Sequence, residues 1–256
     1  MRNKTLACFF LLVAGAGPLA AQDLLSQIQD TTRQKEYVTA AFKSPRVIMT
    51  HSIEMLKPGV LDFRILHRFG NINQGIGEFF GLDDATIRLG LDYGISRNLT
   101  IGIGRGSHKK ELDGFLKFRP LQQATGPGGA PFSLVLAGGA AVQTAPWTGH
   151  KADESFTHRL AYYTQLIIGR KFSDAITLQL APILVHRNLV AAQDDNNTFA
   201  IGTGGRIRLS RRVSLNFDHY TIFNKPNSVE TYFPFSVGFD IETGGHVFQL
   251  HFTNAI

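Results

Sequence analysis

The chain has 256 residues, 43% of them apolar, and a formal charge of +6, a size suited to one domain or one mid-sized barrel. Its basic residues are spread singly, which argues against a nucleic-acid binder, because such proteins gather them on one face. The single cysteine, Cys8, falls in the leader described next, so no disulfide, thiolate metal site or covalent haem is expected in the mature protein.

Residues 1–21 read as a secretory signal. Arg2 and Lys4 form the positive start, Leu6 to Ala16 the apolar run, and Leu19-Ala20-Ala21 the cleavage site before Gln22. Losing the two leader cations leaves a mature charge of +4. Neither this run nor any later one reaches the ~20 residues of a spanning helix, which argues against an inner-membrane helical protein. Residues 22–45 are expected to be a periplasmic lead-in or a short plug helix. Leu24, Leu25, Ile28, Tyr37, Val38, Ala41 and Phe42 make a broken helical stripe there, and the lead-in is the simpler reading. Arg46–Met55 is an optional strand before the turn at Lys57-Pro58-Gly59.

From Val60 onward, apolar and polar residues alternate in about eleven short segments, the first near Val60–Phe69 and the last near His246–Thr253. Successive strand residues face opposite sides of a sheet. Phe63, Ile65, Leu89, Leu91, Leu116, Phe118, Leu178, Leu180 and their like share one face. The other carries Arg64, Arg68, Arg88, Asp92, Asp113, Lys117, Arg119, Arg159, Arg206, Arg208, Asp218 and Asp240, the expected lumen lining. A soluble sandwich has the same period with its apolar face inward. The connections favour a barrel: tight turns near Arg97, Ser173, Arg211 and Gly244 alternate with long loops at Asn71–Asp84, Thr144–His158, Arg187–Asn197 and Asn224–Pro234. Pro120–Pro131 breaks the rule, being long where a short turn belongs. Phe69, Tyr93, Phe132, Tyr162, Phe199, Phe223 and Phe235 lie near strand ends, where an interfacial girdle would sit.

The fold expected is therefore all-β, an antiparallel up-and-down transmembrane barrel of eleven or twelve strands over residues 46–256. Single-chain bacterial barrels have even strand counts. Either a final strand is missing, which is the preferred reading, or Arg46–Met55 supplies the twelfth.

Four stretches carry a family resemblance: GVLDFRILHRFG at Gly59–Gly70, FFGLDDATIRLGLDYG at Phe79–Gly94, GFLKF at Gly114–Phe118 and GGHVFQLHFTN at Gly244–Asn254. In these the chain resembles the membrane-bound β-barrel family of unknown function DUF5777, found mainly in Bacteroidota. The resemblance runs from about Tyr37 onward. It implies an outer-membrane barrel that continues past Asn254 to another strand. The family has no established activity, so it implies no functional residues.

Candidate chemistry is sparse. His150, Asp153, Glu154 and His158 share a long loop, but their spacing matches no standard metal site, and a solvated loop explains them better. Ser107 and His108 are adjacent, and strand neighbours point apart, so a nucleophile–base pair is not expected. Gly102-Ile103-Gly104-Arg105-Gly106 lacks the helix a phosphate loop needs. No cofactor, metal or catalytic set is expected. The function expected is a narrow outer-membrane channel for an unknown solute, whose cationic surplus would mildly favour anions if the bore is open. The alternative is a plugged barrel that docks periplasmic partners, and a hydrolase is the distant third. Expected partners are the lipid bilayer, the outer-membrane assembly machinery and an unknown periplasmic protein, with no nucleic acid.

Overall fold

The computed structural model describes residues 34–70, 75–146 and 155–255. The expected leader, the first part of the lead-in, and His150, Asp153 and Glu154 of the metal-like loop lie outside those residues.

The described strands are β1 (Glu36–Tyr37), β2 (Leu61–Arg68), β3 (Thr86–Ser96), β4 (Leu99–Gly106), β5 (Glu111–Leu121), β6 (Ala124–Thr125) and β7 (Ser133–Gln143). They continue as β8 (Leu160–Lys171), β9 (Ile176–Arg187), β10 (Asn197–Arg208), β11 (Val213–Ile222), β12 (Phe235–Glu242) and β13 (Val247–Thr253). All but β1 and β6 form one eleven-stranded antiparallel sheet in which each strand pairs with its sequence neighbours. The alternating segments of the sequence are these strands, shifted at their ends by at most two residues.

The sheet is inside out relative to a water-soluble sandwich. On β5, Leu116 and Phe118 are 50% and 42% exposed, while Lys117 between them is 0% exposed. The same reversal runs around the sheet. Phe63, Leu89, Leu180 and Leu250 are exposed, and Asp92, Gln165, Asn216, Asp218 and Asp240 are buried. Water would drive the leucines in and the lysine out. The arrangement is the one hydrocarbon demands.

The apolar outer row ends in rings. All seven girdle aromatics are exposed, Tyr93 and Phe132 toward the end with the tight turns and the others toward the end with the long loops. Outward histidines stand beside them at the long-loop end: His67 by Phe69, His186 by Tyr162, His219 by Phe235, with ring centroids 6.2–6.5 Å apart. Such amphipathic rings suit the headgroup level.

The sheet curls, because one short segment of chain touches β2, β3, β5 and β7 to β12 from within, as described below. It does not close. β2 and β13 are its two edges, and with eleven antiparallel strands they run in the same direction.

Two of the less favoured alternatives are decided against here. Arg46–Met55 is not a strand of the sheet. It makes a single bridge, Arg46 to His51, and turns back on itself inside the curl. The helical stripe of the lead-in does not form over its described part either. Residues 34–35 precede β1, and bends follow from 41 onward, with Ala40 in the left-handed region at φ 52°. The long slot Pro120–Pro131 also finds its reason. It holds β6, which pairs with β1 and so anchors the incoming chain at the tight-turn end. Val38 N–H donates to Gln123 O at 2.8 Å. Gln122 Nε2 donates to Val38 O at 2.8 Å. The Arg97 guanidinium lies 4.3 Å from the Tyr37 ring centre.

Leu180→Arg on the outer face is expected to destabilise folding into lipid vesicles by about 2–4 kcal/mol. Urea titration of the vesicle-inserted protein measures it, and an unchanged midpoint would place that face in water.

Candidate functional site

The site is the lumen, and its occupant is the chain itself. Residues 38–57 enter at the tight-turn end, reach the wall strands on all sides, and leave at the same end, where Gly59 N–H donates to Gly94 O at 2.8 Å. An irregular segment buried this way must find partners for its amides and carbonyls outside itself. The wall supplies them.

Asp218 of β11 is the central anchor. Its Oδ2 accepts from the N–H groups of Ile48, Met49 and Thr50 at 3.2, 2.7 and 3.1 Å. Three convergent amides satisfy a buried carboxylate much as a helix N-terminus would. Lys117 of β5 does the complementary work, its Nζ donating to Pro45 O at 3.0 Å and Glu54 O at 2.5 Å. Arg206 of β10 donates through Nη1 to Ala40 O and Ala41 O at 3.1 and 3.0 Å, and through Nε to Ser214 Oγ at 2.9 Å. Gln179 of β9 holds both ends of one peptide stretch, donating to His51 O at 2.7 Å and accepting from Ile53 N–H at 3.2 Å. Gln165 of β8 donates to Thr50 Oγ1 at 2.8 Å.

Two consecutive plug residues reach both sides of the open seam. Lys43 pairs with Glu242 of β12, and Ser44 Oγ accepts from Arg64 Nη2 of β2 at 3.1 Å. Within the plug, Glu54 Oε2 accepts from the N–H groups of Ala41 and Phe42 at 2.8 and 3.3 Å, closing the segment into a loop. Burial pushes the Glu54 carboxyl above its usual range, while the Phe42 and Ala41 amides pull it back. Burial also holds His51 well below the usual imidazole range, with the guanidinium of Arg46 acting in the same direction. The neutral ring makes a 2.8 Å contact from Nε2 to the Tyr163 hydroxyl and packs on Phe115, centroids 4.8 Å apart.

An apolar contact completes the seat. Ala41, Phe42, Val47, Ile53 and Met55 pack with Val135, Ala137, Ile167 and Ala181 of β7 to β9 in one buried cluster. Glycines give the plug room. A Cβ on Gly169 would stand 2.8 Å from Ile53 Cγ2, and one on Gly204 would stand 3.3 Å from Val47 Cγ2. The inward glycines thus make space for an occupant as well as easing the bends of the strands.

The twelve expected lumen residues sort into groups. Asp218, Lys117, Arg206 and Arg64 hold the plug directly. Arg68 reaches Met49 Sδ at 3.3 Å, and Asp92 faces Arg46 at 4.0 Å. Arg88 and Asp113 pair with each other through two guanidinium nitrogens. Arg119 donates to Arg97 O at 2.8 Å and braces a tight turn. Asp240 accepts from Gln249 Nε2 at 2.8 Å with His251 beside it. Arg208 is exposed at the last position of β10. Arg159 sits in the turn before β8, donating to Ala145 O at 2.6 Å and Gln143 O at 3.2 Å, and so braces a long loop.

Sequence reasoning passed over the apolar half of the seat. Its signal was present: β7 to β9 read SLVLAGGAAVQ, LAYYTQLIIGRK and ITLQLAPILVHR, with apolar residues on both parities, the pattern of strands covered on both faces. Of the residues weighed for hydrolysis, Ser107 accepts through Oγ from Ile87 N–H at 3.0 Å. Gly102 and Gly104 lie within β4, in extended chain. Among the described residues no group of three or more His, Cys, Asp or Glu side chains could hold a metal ion.

A curled antiparallel sheet with an apolar outside and a polar, occupied inside defines a membrane β-barrel. A family model described as a membrane-bound β-barrel domain, DUF5777, matches residues 42–256. The chain belongs to that family, and the matched region includes the plug from Phe42 onward. A comparison with curated proteins finds no match.

Asp218→Ala removes the acceptor of three buried amides. The expected cost is about 3 kcal/mol, roughly a hundredfold in the plug's opening equilibrium. Hydrogen exchange at Ile48, Met49 and Thr50 reads it. Unchanged protection there would show that other contacts hold the plug.

Proposed function

We propose that this protein is an outer-membrane barrel kept shut by its own N-terminal segment, which presents the chain leading into the plug to a periplasmic partner. The observation that carries this reading is the occupation of the lumen by residues 38–57, held by side chains from nine of the eleven described wall strands. Support for the direction of the barrel comes from its ends. Short turns face the periplasm in outer-membrane barrels. The plug enters and leaves at that end, and β1 pairs with β6 there. A ligand or protein that bound the incoming chain would therefore act on the plug without crossing the bilayer.

A second reading is a conduit that opens when the plug withdraws. It is favoured by the route of the segment, which enters and leaves at one end and can slide out without passing through the bore. Its seat is largely polar, so a wall stripped of the plug would still be wetted. The anion preference expected of an open pore applies to this state alone, because Lys117 and Arg206 are otherwise engaged by plug carbonyls.

Planar-bilayer recording separates these states. The intact protein is expected to show no steady conductance, and a variant lacking residues 38–56 is expected to show discrete conducting steps. Steady ohmic conductance from the intact protein would overturn the closed-barrel reading. A silent deletion variant that still inserts would leave the docking role and remove the conduit.

A further inference from the structure

We propose that residues 75–84, in the connection between β2 and β3, form a lipid-contacting foot seated in the leaflet at the long-loop end. Ile76 is 82% exposed, and Phe79, Phe80 and Leu82 are exposed with it. Packing against the protein does not account for four large apolar side chains within seven residues, because Ile76 is almost bare and about half of each of the other three stays uncovered.

The backbone is held so as to display them. Phe79 and Phe80 adopt φ of 44° and 57°, in the left-handed region that costs a non-glycine residue on the order of 1 kcal/mol or more. The turn is pinned on both sides, with Phe80 N–H donating to Gly75 O at 2.7 Å and Gly70 N–H to Gly81 O at 2.7 Å. Gly75 and Gly81, at φ of 70° and 86°, make the reversals. A fixed, strained turn that turns two rings away from the protein needs a partner outside it to offset its cost.

Continuity identifies that partner. The foot is flanked by lipid-facing rows, Phe63, Ile65 and His67 of β2 with Phe69 just after it, and Ile87 and Leu89 of β3. The stacked His67 and Phe69 rings, 6.3 Å apart, mark the headgroup level from which it departs. Glu78, Asp83 and Asp84 are exposed within it. Carboxylates stay in water or among headgroups, so the foot is shallow, its rings at the boundary of headgroup and acyl chain.

The chain has a single tryptophan, Trp147, which makes an optical test clean. The test protein is the full mature chain carrying Trp147→Phe and Phe80→Trp, reconstituted in phosphatidylcholine vesicles with bromine either near the headgroup end or deep in the acyl chain. Emission is expected to shift to the blue and to be lost to the shallow bromines more than to the deep ones. Ile76→Trp in the same background gives a second probe should the first variant fail to insert, and it is expected to behave alike. Emission that ignores both bromolipids and is quenched by aqueous acrylamide would overturn the proposal and mark the loop as a surface for a protein.

Discussion

Hydrocarbon offers no hydrogen bonds, and that constraint orders everything else in this molecule. Every strand amide and carbonyl within the bilayer must pair with a neighbouring strand, and every charged side chain must turn away from lipid. An eleven-stranded antiparallel meander meets the first demand except at its two edges. Strict alternation of side chains meets the second, but only by moving the difficulty inward. A narrow curl then encloses Asp92, Lys117, Arg206, Asp218 and Asp240, groups that are costly to bury unless each is satisfied.

For Lys117, Arg206 and Asp218 the plug answers that demand with backbone. These three side chains, which would otherwise need water or one another, meet amides and carbonyls of residues 38–57. A carboxylate takes three amides, an ammonium takes two carbonyls, and a guanidinium takes two more. The accounting also runs the other way, since an irregular chain without secondary structure could not be buried at all unless the wall completed its hydrogen bonds. Plug and wall are therefore one polar network, and neither is well satisfied alone. The apolar patch from β7 to β9 adds a contact that fixes which side of the bore the plug leans on. The long β5–β7 connection, which contains β6, fixes where the chain goes in.

Much of this was legible in the sequence. The period-two rows of β2 to β5 and β8 to β13 gave the strands and their faces, and the short and long connections gave the two ends. On β5 the rows are plain, with Lys117 buried between exposed Leu116 and Phe118. The plug was harder to read for a physical reason. Local pattern reports what a segment would bury against a flat partner, and residues 38–57 bury against many strands at once, so they show neither helical nor strand period. Their hydrogen bonds go to residues far along the chain, Asp218 among them, which no local signal reveals. The nearest available clues were the doubly apolar runs of β7 to β9 and the overlong 120–131 slot, both departures from the barrel rule. Both proved to be places where the plug or its anchor docks.

Sidedness of the alternating rows is the claim on which the barrel, the plug and the foot all stand. Nitroxide scanning along β5, with single cysteines at 115, 116, 117 and 118 in a chain otherwise free of cysteine, measures it directly in vesicles. Positions 116 and 118 should collide with dissolved oxygen and escape a water-soluble nickel chelate, while 115 and 117 should be shielded from both. Labels at 116 and 118 that meet the chelate freely, with no period of two in the oxygen response, would contradict the account.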